Sequence, residues 1–118
     1  MSLLAEREYY KPFNYPWAFE HYKTQQHMHW LPDEVNLADD LRDYREKMSL
    51  GQKKLLSSLF RFFTQADVDV CCGYAKHYLP TFKQPEIRMM LSAFAAMEAV
   101  HQEAYSLLLE TLGFGDDE

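Results

Sequence analysis

Two long proline-free stretches, each with an apolar seam at heptad spacing and ionisable groups set inside that seam, constrain this chain more than any other feature. Leu91, Phe94, Glu98, His101, Tyr105, Leu108 and Leu112 succeed one another at alternating steps of three and four, the spacing that keeps side chains on one stripe of a helix. Leu56, Phe60, Phe63, Asp67, Val70 and Tyr74 repeat the pattern earlier in the chain. Asp67, Glu98, His101 and Tyr105 are therefore expected to face packed apolar surface rather than water.

The flanking signals place these seams on the two longest of four helices. Residues 1–15 carry no period, and Pro12 and Pro16 keep them extended until a helix opens at Trp17, with proline tolerated in its first turn. That helix runs to about His29 and stops before Leu31-Pro32. Asn36 or Asp33 can cap a second helix over Leu37 to Met48. Ser49 followed by Gln52 is a capping box that opens the third helix, Leu50 to about Tyr78. Its apolar residues spread over more than one face, which makes it a central helix. Leu79-Pro80-Thr81 breaks it, and the fourth helix spans about Pro85 to Leu112, with Gly113 and Gly115 as stop signals. The expected fold is all-α: residues 16–118 form one helical domain in which two long antiparallel helices follow shorter N-terminal ones.

If the long helices fold back about residues 80–84, Asp67 and Glu98 lie at the same height, each roughly 23 Å from the turn at 1.5 Å per residue. They then face each other across the seam. An unpaired buried carboxylate costs several kcal/mol, so two of them beside an imidazole call for a compensating cation, and a divalent metal supplies it. Glu98-Ala99-Val100-His101 is a Glu-x-x-His spacing that puts both ligands on one helix face, where the carboxylate can bridge two ions. That motif is common by chance; its place in the seam opposite Asp67 gives it weight. The competing readings are a core histidine bonded to a carbonyl for His101, an ion pair for Asp67 (though no basic residue lies three or four positions away) and plain packing for Tyr105. His27, His29 and His77 read as surface or cap residues. Glu103, Glu110, Lys53 and Lys54 read as a solvated face, and Met89, Met90 and Met97 as gap-filling core.

Composition narrows the function classes. The formal net charge is -6, and the 12 basic residues are scattered among 18 acidic ones, so no basic patch exists to bind nucleic acid. No apolar run approaches the roughly 20 residues that span a bilayer. The two cysteines, Cys71 and Cys72, are neighbours, a spacing suited neither to a disulfide framework nor to a zinc knuckle. Reduced thiols, an N-terminus without a signal peptide and no membrane span give a soluble, cytoplasmic expectation.

Three blocks carry a more specific likeness: His29-Trp30-Leu31-Pro32-Asp33-Glu34-Val35, Phe62-Phe63-Thr64-Gln65-Ala66-Asp67-Val68, and Met89-Met90-Leu91-Ser92-Ala93-Phe94 continuing into Met97-Glu98-Ala99-Val100-His101-Gln102-Glu103-Ala104-Tyr105. With them the chain, from about Tyr15 to Leu112, resembles the small, radical-generating subunit of class I ribonucleotide reductase. The resemblance implies a ferritin-like bundle. It implies that Asp67 is the first aspartate ligand, Glu98 the bridging glutamate, His101 the histidine on the same metal, Tyr105 the tyrosine oxidised to a stable radical, and Trp30 the tryptophan that passes an electron to the site and lies on the radical-transfer route. It also implies two metal ions, iron above all, with manganese or a mixed pair as variants, and a large catalytic subunit that uses the radical to reduce ribonucleotides.

The chain departs from that family where it stops. A full subunit continues with a second Glu and Glu-x-x-His set and a tail that docks on the large subunit. A naturally split subunit is the expected explanation: this chain as the front half, with a second chain carrying the remaining ligands and the assembled small subunit forming a dimer. Two alternatives compete. Two copies of the chain could pair into a ferritin-like oxidase or metal store, or the chain could be a metal-free helical interaction module.

Overall fold

The computed structural model describes residues 2–114, and every regular element among them is helical. A helix α1 (Pro16–His27), a 3-10 turn (Pro32–Glu34) and a short helix α2 (Ala38–Glu46) precede the two long ones, α3 (Leu50–Gly73) and α5 (Pro85–Thr111). A π turn (Tyr74–Tyr78) and a single turn, α4 (Leu79–Thr81), extend α3.

Local chemistry sets most of these boundaries. Pro16 occupies the first turn of α1, where its missing N–H costs nothing. The Asn36 side-chain oxygen accepts the Ala38 N–H at 3.0 Å and opens α2. At the start of α3 the capping box forms in both directions: Gln52 N–H donates to Ser49 Oγ at 3.2 Å, and Ser49 N–H to Gln52 Oε1 at 2.9 Å. α5 ends in a Schellman motif, with Gly113 at φ 97°, its N–H on the Glu110 carbonyl and the Phe114 N–H on the Leu109 carbonyl, each at 3.0 Å. Gly115, the other expected stop signal, lies outside the described residues.

The expected break at Leu79-Pro80-Thr81 falls later. The chain stays helical through Pro80 and becomes extended at Phe82 (φ -99°, ψ 112°). Pro80 has no N–H to give the preceding turn, and its ring would crowd the carbonyl four residues back. The wider π turn just before it, with i to i+5 spacing, accommodates both demands.

The chain divides into two compact units, and α3 and α5 each contribute to both. The first joins residues 1–29 to residues 69–99. Ala18, Ile87, Met90 and Leu91 form its closed core, with Tyr15, Tyr22, Tyr74, Leu79, Phe82 and Phe94 packed against it. Cys71 and Tyr74 of the α3 end meet Ala95 and Phe94 of α5, an antiparallel pairing. The N-terminal segment is not a loose arm, because Arg7 is 5% exposed and clasps the start of α5. Its guanidinium donates to Gln84 Oε1 at 3.0 Å and Glu86 Oε2 at 2.9 Å, pairs with Glu86 Oε1 at 2.9 Å and reaches the Tyr9 and Tyr10 carbonyls. Gln84 and Glu86 are fully buried, which such a charge satisfied by several partners permits.

The second unit joins residues 30–68 to residues 100–118. α3 and α5 again pair antiparallel: Phe60 and Phe63 stack on Tyr105, and Leu56 and Phe60 line a hollow with Leu108 and Leu112. The two faces of α3 fare differently. Its seam toward α5 is half-buried, whereas Leu55 and Phe62, on another face, are 61% and 65% exposed.

Candidate metal centre

Asp67 sits on α3, and Glu98 and His101 sit one turn apart on α5, each half-buried as the seam requires. Each offers one ligand atom, and the three atoms lie within 4.8 Å of one another, close enough to hold a single ion. They form the one such group of histidine, cysteine or carboxylate ligands among the described residues. Asp67 Oδ2 is buried and accepts no hydrogen bond there. A buried carboxylate oxygen without a donor is costly, and a cation is what would offset it. Two carboxylates and an imidazole, with no thiolate, suit a first-row divalent metal.

A cavity of about 440 Å³ opens onto Asp67 and His101, walled by Trp30, Pro32, Phe63 and Tyr105 among other, mostly apolar residues. The Trp30 ring lies 6.3 Å from the His101 ring, tilted by 33°. Tyr105 lies beside Phe63 at 5.7 Å and Phe60 at 6.2 Å. The structure thus brings all five residues singled out from the sequence to one neighbourhood: Asp67, His101, Trp30 and Tyr105 on the cavity wall, and Glu98 one turn before His101. Phe63, which flanks Tyr105, is itself 39% exposed, so the apolar wall beside the phenol is incomplete within this chain.

Two neighbours to which the sequence assigns no role at the site also lie here. Tyr74 ends the α3 seam and packs against Phe94; burial, then the nearby Glu98 charge and Tyr78, push its phenol above the usual 10.0. Gln102 stands beside His101 and donates from Nε2 to the Asp67 carbonyl at 3.4 Å. Tyr74 was visible as a seam position. Gln102 lies off the seam, and no helix pattern marks it.

Residues 7–118 match the family model for "Ribonucleotide reductase, small chain". The chain belongs to this family. A probable ribonucleoside-diphosphate reductase small subunit of Invertebrate iridescent virus 6 is 50% identical over 113 residues, which are 96% of this chain and 31% of the viral protein. The small chain of Trypanosoma brucei brucei is 30% identical over 91% of this chain and 32% of its own length. The chain thus spans just under a third of these relatives. Among solved structures, the ribonucleotide reductase Rnr4 homodimer of Saccharomyces cerevisiae superposes with a TM-score of 0.82 over 92% of this chain and 35% of the yeast chain, at 21% identity. That likeness establishes the fold as the all-α, ferritin-like bundle of the small-chain family. Among the described residues no helix is long and apolar enough to cross a membrane.

Proposed function

We propose that this chain is part of the small subunit of a ribonucleoside-diphosphate reductase, holding one side of a two-metal centre through Asp67, Glu98 and His101 and carrying the radical on Tyr105. Residues 16–118 then form the front half of the di-metal domain, after the segment 1–15. The observation that carries this reading is the convergence of the three ligand atoms within 4.8 Å around a buried Asp67 oxygen that accepts no hydrogen bond, in a member of the small-chain family.

Bound here, a pair of iron ions, or manganese in one or both positions, would supply with dioxygen the oxidising power that the tyrosine requires. The chain's own groups fit that task. Asp67 and Glu98 contribute negative charge, and Glu98 has two oxygens with which to span neighbouring ions. His101 contributes an imidazole nitrogen, and the Trp30 ring lies 6.3 Å from its ring. Tyr105 is four residues from His101, on the same face. Phe60 and Phe63 beside it have no exchangeable hydrogen to give a phenoxyl radical. Ferritin-like two-metal sites use a carboxylate from each of two helices and Glu-x-x-His from each of two others. Among the described residues the group provides half of that set. A second chain completes it in this proposal, the small subunit dimerises, and a large catalytic subunit draws on the radical to make deoxyribonucleotides in the cytoplasm.

The test is to produce the chain alone and with its completing partner, add Fe(II) and air, and record metal content and the electron paramagnetic resonance spectrum. The expected result is a tyrosyl signal in the mixture that disappears in Tyr105→Phe. Two metals per homodimer from the chain alone, with no tyrosyl signal, would replace this reading with a ferritin-like oxidase or store.

A further inference from the structure

We infer that Gln102 is a positioning residue that pins the register of α3 against α5 at the metal ligands; this rests on the reading of Asp67 and His101 as ligands. Gln102 is the residue after His101, and the carbonyl that accepts its Nε2–H belongs to Asp67 itself. The bond therefore ties the backbone of one ligand to the immediate neighbour of the other. Sliding α3 by one residue moves that carbonyl about 1.5 Å along the axis, and turning it by one residue swings it about 100° away. Either motion breaks the bond and separates the ligand atoms.

Packing around the pair does little to resist such motion. Within residues 30–68 and 100–118 Pro32, which lies on neither long helix, is the only buried apolar side chain among the described residues, so interlocking of large side chains does not fix the register there. Phe60, Phe63 and Tyr105 meet through tilted rings at about 6 Å, contacts that tolerate sliding better than close interdigitation does. A polar contact at one height discriminates between registers, because its donor and acceptor meet in only one of them. Gln102 acts on the metal through geometry, since its bond goes to the Asp67 backbone carbonyl and not to the carboxylate.

Co(II) titration of the protein, followed by visible absorption, tests this. Gln102→Met keeps the shape and removes the donor; it should weaken Co(II) binding about tenfold and shift the ligand-field band. Gln102→Lys keeps a donor on a stem of similar reach and should retain the wild-type band, as should Glu103→Gln on the exposed face. A Gln102→Met protein that melts at lower temperature yet shows the wild-type band would mean a purely structural role and overturn the pin, as would an equal band shift in Gln102→Lys. Should Gln102→Met fail to fold, the Lys variant still decides through its band. Asp67→Asn separates the two levels of the argument. If it abolishes Co(II) binding while Gln102→Met changes nothing, the pin fails and the site stands; if Asp67→Asn is also without effect, the site reading fails and takes the pin with it.

Discussion

The two compact units solve the same packing problem to different degrees. Residues 1–29 with 69–99 contain every buried hydrophobic among the described residues, Ala18, Ile87, Met90, Leu91 and Ala93, together with the buried Arg7, Gln84 and Glu86. Among the described residues of 30–68 with 100–118 only Pro32 and Ser57 are buried, and Asp67, His101, Trp30 and Tyr105 lie around an open cavity. Charge is buried in the first unit with its partners in place; in the second, Asp67 Oδ2 is buried without a hydrogen-bond donor. The first unit is a finished scaffold, and the second has an open pocket lined by candidate ligands in place of a closed core. Such a division is expected where function needs groups that a stable core would exclude.

The largest effect that could break this contrast lies in the scaffold. Arg7→Met leaves Glu86 buried without its cation and should cost about 3–5 kcal/mol, read from denaturant unfolding. A loss of under 1 kcal/mol would mean that the clasp is dispensable and the first unit is not a scaffold held by it. In the second unit the sign reverses. Asp67→Asn should raise the stability of the metal-free protein by about 1 kcal/mol by removing a desolvated charge, while metal binding is lost; thermal unfolding in chelator measures it, and destabilisation would show that Asp67 is already satisfied. The smallest effect is alkaline. Tyr74 has a raised phenol pKa in the folded state, so unfolding releases its proton first, and native stability falls as pH rises past 10.0. Tyr74→Phe should remove that part of the alkaline loss; an unchanged profile up to the phenol's folded pKa would argue that burial and Glu98 do not act on it.

Much of this was legible in the sequence, because its signals are local or periodic. Ser49 and Gln52 are three residues apart and cap α3 as their types require, and Gly113 takes the left-handed conformation that stops α5. The convergence of Asp67, Glu98 and His101 was legible because two seams of opposite direction intersect at one height. Arg7 was not legible: its partners lie 77 and 79 residues away, and no spacing rule spans that distance. Pro80 was read as a breaker because proline usually is one. The opening of a π turn ahead of it depends on backbone adjustment that no residue type announces. The exposure of Phe62 and Leu55 was missed for a related reason, since periodicity says which face is apolar but not what covers it.

The π turn at Tyr74–Tyr78 also bears on which changes of length this gene could tolerate. A π turn holds one residue more than the α-helical turn it replaces, so losing a residue there can be absorbed by a return to ordinary helix. The same loss between Phe60 and Asp67 would rotate everything on one side of it by about 100° relative to the other, turning either the aromatic stack or the carboxylate away from α5. Length variation in this helix is therefore tolerable at its distal turn and disruptive near Asp67.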